Sequence, residues 1–168
     1  DNLVNLIAVD SLKSDSLKYR YKIPAGATKQ AKIKIVSTDS TGNVGSVESA
    51  TFEVVDNTKP IIQITSIGDD TKFGSGKSQT IEWSATDGSG IDWTKLYLKA
   101  PDSTSYTLID SLPGNPGTYN YQIPLKVSKD YYMKISVGDP SGNTGSDLQR
   151  FEVIDATLPV VPLVNPST

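Results

Sequence analysis

The chain has 168 residues, with 16 Lys+Arg against 19 Asp+Glu for a net charge of -3, and contains no Cys and no His. The acidic balance argues against a nucleic-acid partner, which requires a basic face to displace counterions, and the missing Cys and His exclude disulfide scaffolds, zinc centres, Cys nucleophiles and Ser–His–Asp triads together. At 36% hydrophobic and 21% charged residues the composition is that of a folding chain, and no apolar run approaches the ~18 residues of a membrane helix.

Abundant Ser and Thr, with 13 Gly and 10 Pro, signal many short strands joined by turns. Period-2 alternation and β-rich composition predict strands near Leu6 to Leu12, Lys18 to Ile23, Ala31 to Ser37 and Val47 to Val55. Seven more follow: Ile61 to Ile67, Thr80 to Thr86, Trp93 to Lys99, Ser105 to Leu112, Thr118 to Ile123, Tyr131 to Val137 and Asp147 to Ile154. The connections carry breakers: GDDTKFGSGKS, DGSGID, APDST, PGNPG, IPLKVSKD and DPSGNTGS. With no 3.6-residue period, the fold class is all-β. Seven short strands at this spacing read as an immunoglobulin-like, Greek-key β-sandwich. Alternation points Ile62, Ile64, Ile81, Trp83, Leu96, Leu98, Tyr119, Tyr121, Ile123, Met133, Ile135, Phe151 and Val153 inward. Tyr131 or Tyr132 is placed to form a tyrosine corner.

The chain aligns with itself at a shift of about 100 residues. DSLKSDSLKYRYKIP, from Asp10, lies over DSLPGNPGTYNYQIP, from Asp110. Asp39, Gly42, Asn43 and Gly45 lie over Asp139, Gly142, Asn143 and Gly145, and after one deletion FEVVDNTKPII lies over FEVIDATLPVV. The expected organisation is tandem sandwiches, the first incomplete: residues 1–57 as the C-terminal half of one repeat, 58–156 as a complete repeat, and 157–168 as a linker or the start of another. The half repeat should turn Tyr19, Tyr21, Ile23, Ile33, Ile35, Phe52 and Val54 inward. A half repeat cannot bury its apolar face alone, so a segment of a longer array is expected, completed by neighbouring repeats of the same protein or by another copy.

The segments QTIEWSATDGSGID, GTYNYQIP, YYMKISVGDPSGNTGSD and FEVID together resemble bacterial immunoglobulin-like tandem repeats of secreted and surface proteins. They also resemble the related Ser/Thr-rich immunoglobulin-like module of the fungal cell-wall Kre9/Knh1 type. In those families an aromatic strand ending in Pro precedes an Asp-x-x-Gly-Asn hairpin and a closing Phe-x-Ile/Val. Tyr121 takes the aromatic slot that is often Trp. The resemblance implies an extracellular or cell-surface, modular context, with roles as spacers, adhesin stalks or accessory domains of secreted hydrolases.

The carboxylates fall mostly in Gly- and Ser-rich turns, where Asp caps the turn, so an enzyme is not expected. Ca2+ takes six to eight oxygens from Asp, Asn and carbonyls. A sandwich would bring Asp56 and Asn57 of the linker near Asp87, Asp92, Asp139 and Asn143 at one end, and Asp155 near Asp69, Asp70 and Asp130 at the other. No cofactor is expected to be required; Ca2+ at these joints is the candidate, against ordinary Asx turns in solvent, and the resemblance is relevant to it, since some bacterial adhesin arrays carry calcium at such joints. Trp93 and Tyr97, with Tyr106, are the candidates for stacking on a glycan, on the face opposite Leu96 and Leu98. The expected function is a non-catalytic structural or adhesive stalk or spacer. The alternatives are an accessory, carbohydrate-binding module of a secreted hydrolase and a strand-exchanging subunit of a surface fibre.

Overall fold

The computed structural model describes residues 18–23, 26–157 and 159, and the described residues form strands and no helix. The first four strands are short: β1 (Thr28–Ala31), β2 (Lys34–Thr38), β3 (Val44–Glu48) and β4 (Phe52–Val54). Here β1 pairs with β4 and β2 with β3, both antiparallel. Eight strands follow: β5 (Ile61–Ile64), β6 (Lys72–Gly74), β7 (Ser78–Thr86), β8 (Trp93–Lys99), β9 (Thr107–Pro113), β10 (Thr118–Gln122), β11 (Ser128–Gly138) and β12 (Thr144–Ile154). They build a three-stranded sheet, β10-β7-β5, and a five-stranded sheet, β6-β12-β11-β8-β9. The fold is an all-β immunoglobulin-like sandwich.

Alternation generates the core. Along β7 the side chains of Ile81, Trp83 and Ala85 are buried while Thr80, Glu82 and Ser84 face solvent. Along β11 the buried set is Tyr131, Met133, Ile135 and Val137. These two rows face each other across the sandwich, the arrangement that removes most apolar area from water. Every inward residue expected for the complete repeat lies in this core or packs against it. Polar atoms within it are matched: Trp83 Nε1 donates to Asn115 Oδ1 at 2.9 Å, and Asn115 Nδ2 donates to the Ala85 carbonyl at 3.0 Å. The Tyr131 hydroxyl donates to the Lys126 carbonyl at 3.0 Å, so Tyr131 is the corner tyrosine.

Three features differ from the sequence reading. The stretch read as one long turn after β5 contains β6, which runs parallel to the end of β12. Phe73 explains this short strand: its ring is buried and lies 5.3 Å from that of Phe151, which stacks in turn on Tyr131. The first strand ends early, at Ile64, because Thr65 and Ser66 both donate to the Glu82 carbonyl and break the ladder. The third difference lies in the first third of the chain. Residues 18–23 are described but form no strand, and Tyr19, Tyr21, Ile23, Ile33 and Ile35, expected inward, are exposed. Ile35 is 62% exposed and its counterpart Ile135 is 0%. The difference is the covering sheet: β11 is roofed by β7 and its neighbours, whereas no described strand roofs β2. The predicted strand Leu6 to Leu12 and the C-terminal apolar segment lie outside the described residues.

Candidate metal centre

The chain enters the sandwich at the pole where β7 leads into β8 and β11 into β12. Each of these three segments begins with an aspartate in the same local geometry. Asp56 Oδ1 accepts from the Thr58 amide at 2.9 Å, Asp87 Oδ1 from the Ser89 amide at 2.8 Å, and Asp139 Oδ1 from the Ser141 amide at 2.9 Å. These are Asx turns, which the following Thr or Ser residues accommodate readily. One carboxylate oxygen is thus committed to the local loop, leaving Oδ2 for other contacts.

The three aspartates converge, with one carboxylate oxygen from each lying within 4.8 Å of the others. Asp56 is 8% exposed and Asp139 2%, and Asp87 is half-buried. Asp139 Oδ2 accepts from Asn143 Nδ2 at 2.8 Å. Asp56 Oδ2 and Asp87 Oδ2 are buried and accept no hydrogen bond from any described residue. A buried carboxylate oxygen normally has a partner, because stripping it of water without replacement is costly. Two ionised carboxylates about 4 Å apart repel by roughly 4 kcal/mol at an effective dielectric of about 20, so three together call for a neutralising group. The Thr58 amide also holds the Asp56 carboxyl below its usual range. The donor set is all oxygen and hard, and two of its oxygens are unpartnered, which suits Ca2+ and not a thiolate- or imidazole-seeking metal.

The linker is fastened here by two further contacts. Asn143 Nδ2, besides serving Asp139, donates to the Asp56 carbonyl at 3.0 Å. Gly145 lies under Pro60: a Cβ on Gly145 would sit 2.1 Å from the Pro60 carbonyl oxygen. The hairpin between β2 and β3 carries the same internal bonds. Asp39 accepts from the Thr41 and Asn43 amides and from Asn43 Nδ2 at 2.8–2.9 Å, and Gly42 adopts φ 90° where Gly142 adopts 88°. Asp39, however, belongs to no group of three converging carboxylates among the described residues.

The remaining candidates are placed as follows. Asn57 is exposed, and Asp92 contributes backbone bonds, its amide donating to the Gly138 carbonyl and its carbonyl accepting from Gly114. Asp69 and Asp70 line a cleft with Lys72, Lys129 and Arg150. Asp155 is exposed and forms an Asx turn with Thr157 like that of Asp56, and the structure does not bring it together with Asp69 or Asp70. Trp93 and Tyr97 lie on the outer face of the five-stranded sheet, opposite the core. Trp93 lies flat over Gly138 on one side and under the Lys95 ammonium, 4.6 Å from the ring centroid, on the other. The lysines that cap these rings escaped the sequence reading, although their alternation with aromatic residues along Trp93 to Lys99 is its signal.

No protein-family model and no curated protein matches the chain. Among solved structures, the chain is similar to the fibronectin(III)-like modules of Clostridium thermocellum CbhA, with a TM-score of 0.51 and 18% identity over 81% of this chain and 69% of that one. Murine CRIg also matches, with a TM-score of 0.36 and 11% identity over 60% of this chain and all of that one. At this identity the likeness to the CbhA modules speaks for the fold alone, an immunoglobulin-like β-sandwich.

Proposed function

We infer that the chain is a non-catalytic spacer segment of an extracellular multi-repeat protein, and that Ca2+ held by Asp56, Asp87 and Asp139 locks the linker onto the sandwich it precedes. One observation carries this reading: Asp56 and Asp87 each bury a carboxylate oxygen without a partner, against a third aspartate, at the point where the linker docks. Asp56 is the linker's own ligand, so an ion shared with Asp87 and Asp139 converts a flexible connection into a fixed one. Pro60 supports this by restricting φ at the same joint. The internal repeat supports an array in which such joints recur, and the fold is compatible with a structural or accessory module.

The test is a thermal melt of the chain in excess EDTA and in millimolar Ca2+, paired with calorimetric titration. A site that binds only the folded state raises the midpoint as Ca2+ increases, by about 2.7 kcal/mol of stabilisation at a hundredfold excess over Kd. An unchanged midpoint with no binding heat would refute the cation reading.

A further inference from the structure

The outer face of the five-stranded sheet carries a second pattern, on side chains distinct from the carboxylate cluster. On β8 the outward residues are Trp93, Lys95, Tyr97 and Lys99, and β11 sets Tyr132 opposite Lys99 and Lys134 opposite Tyr97. Lysine and aromatic ring therefore alternate both along and across the two central strands. Each ammonium is held near a ring face: Lys99 lies 4.9 Å from the Tyr132 centroid, and Lys134 lies 5.9 Å from Tyr97 and 5.8 Å from Tyr106. Among the described residues, none of Lys95, Lys99 and Lys134 has a carboxylate within ion-pair distance. A chain of net charge -3 thus gathers three cations, with no ion-pair partner, on one flat surface.

We propose that this face binds an acidic polysaccharide of the uronate class. Its carboxylates meet the three ammonium groups, and its sugar rings lie along the exposed parts of Tyr97 and Tyr106. The lysines are already positioned by the rings, so less side-chain freedom is lost on binding. The central strands β8 and β11 are paired on both sides, so no backbone groups are free there to receive a peptide as an added strand.

The experiment measures retention of the intact chain on immobilised polygalacturonate at low salt, with EDTA present to exclude cation bridging through the carboxylates. Neutral dextran, polyglutamate and duplex DNA serve as comparison matrices. The proposal expects retention on polygalacturonate alone, weakening with salt. It expects at least a tenfold loss in the triple variant K95Q/K99Q/K134Q and a smaller loss in Tyr106→Ala, whose unchanged circular dichroism verifies folding. Absence of retention on polygalacturonate overturns it, as do equal retention on dextran, equal or stronger retention on polyglutamate or DNA, and unaltered binding by the triple variant.

Discussion

At the scale of single residues, the site depends on how each aspartate divides its two oxygens. Oδ1 closes a local turn in Asp56, Asp87 and Asp139 alike, and this fixes where Oδ2 points. Asp87 offers the cleanest intervention, because Asp87→Asn keeps the side-chain shape while removing one charge from the cluster. In EDTA the variant should melt higher than the parent, since like-charge repulsion falls by an amount on the order of 1–3 kcal/mol. In Ca2+ the order should reverse, because the parent gains an ion and the variant binds it weakly. Paired melts in the two buffers check both halves. A variant less stable than the parent in EDTA would mean that the Asp87 Oδ2 oxygen already has a protein partner.

At the scale of elements, two hairpins with the same turn differ in what rests on them. Gly145 is covered by the Pro60 carbonyl, whereas a Cβ on Gly45 would meet no heavy atom within 4 Å. Gly145→Ala should therefore push the linker away from β12, lowering the melting temperature and weakening Ca2+ binding together. Gly45→Ala should change stability by no more than about 0.5 kcal/mol. Titration calorimetry and melting of the two variants separate the outcomes. Much of this element-level picture was legible in the sequence. The Asp-x-x-Gly-Asn spacing marks both hairpins, because the turn needs a positive-φ Gly and an Asp that can accept from the loop amides. The loop order of a sandwich also placed Asp56, Asp87 and Asp139 at one pole. Other features were hidden. β6 is three residues long, too short to show a period, and is defined by one buried ring, Phe73. That the Asp56 and Asp87 oxygens would lack partners is a fact of three-dimensional convergence, which no spacing encodes. The exposure of Ile33 and Ile35 was missed because alternation tells which face is apolar, not whether another sheet covers it.

At the scale of the molecule, stability is concentrated in the sandwich of β5 to β12. Ile135 is fully enclosed, so Ile135→Ala should cost about 2–5 kcal/mol in urea unfolding, while the equivalent Ile35→Ala should cost less than about 0.5 kcal/mol. The same core sets the response to alkali. Burial pushes Tyr121 up to about 12, with Tyr131 and Tyr119 nearby adding to the effect, and burial raises Tyr131 and Tyr119 as well. A tyrosine in the unfolded chain ionises near pH 10. Between pH 10 and 12 the unfolded state has therefore released a proton that folded Tyr121 still holds. The folded state binds more protons in that window, so stability falls as pH rises through it and is undiminished by this group below pH 10. Melting temperature measured across this range should decline, and the tyrosinate absorbance of the buried tyrosines should appear together with unfolding and not before it. Tyr121→Phe removes the titrating group and should flatten the decline, and an equally steep fall in that variant would assign the alkaline limit to other groups.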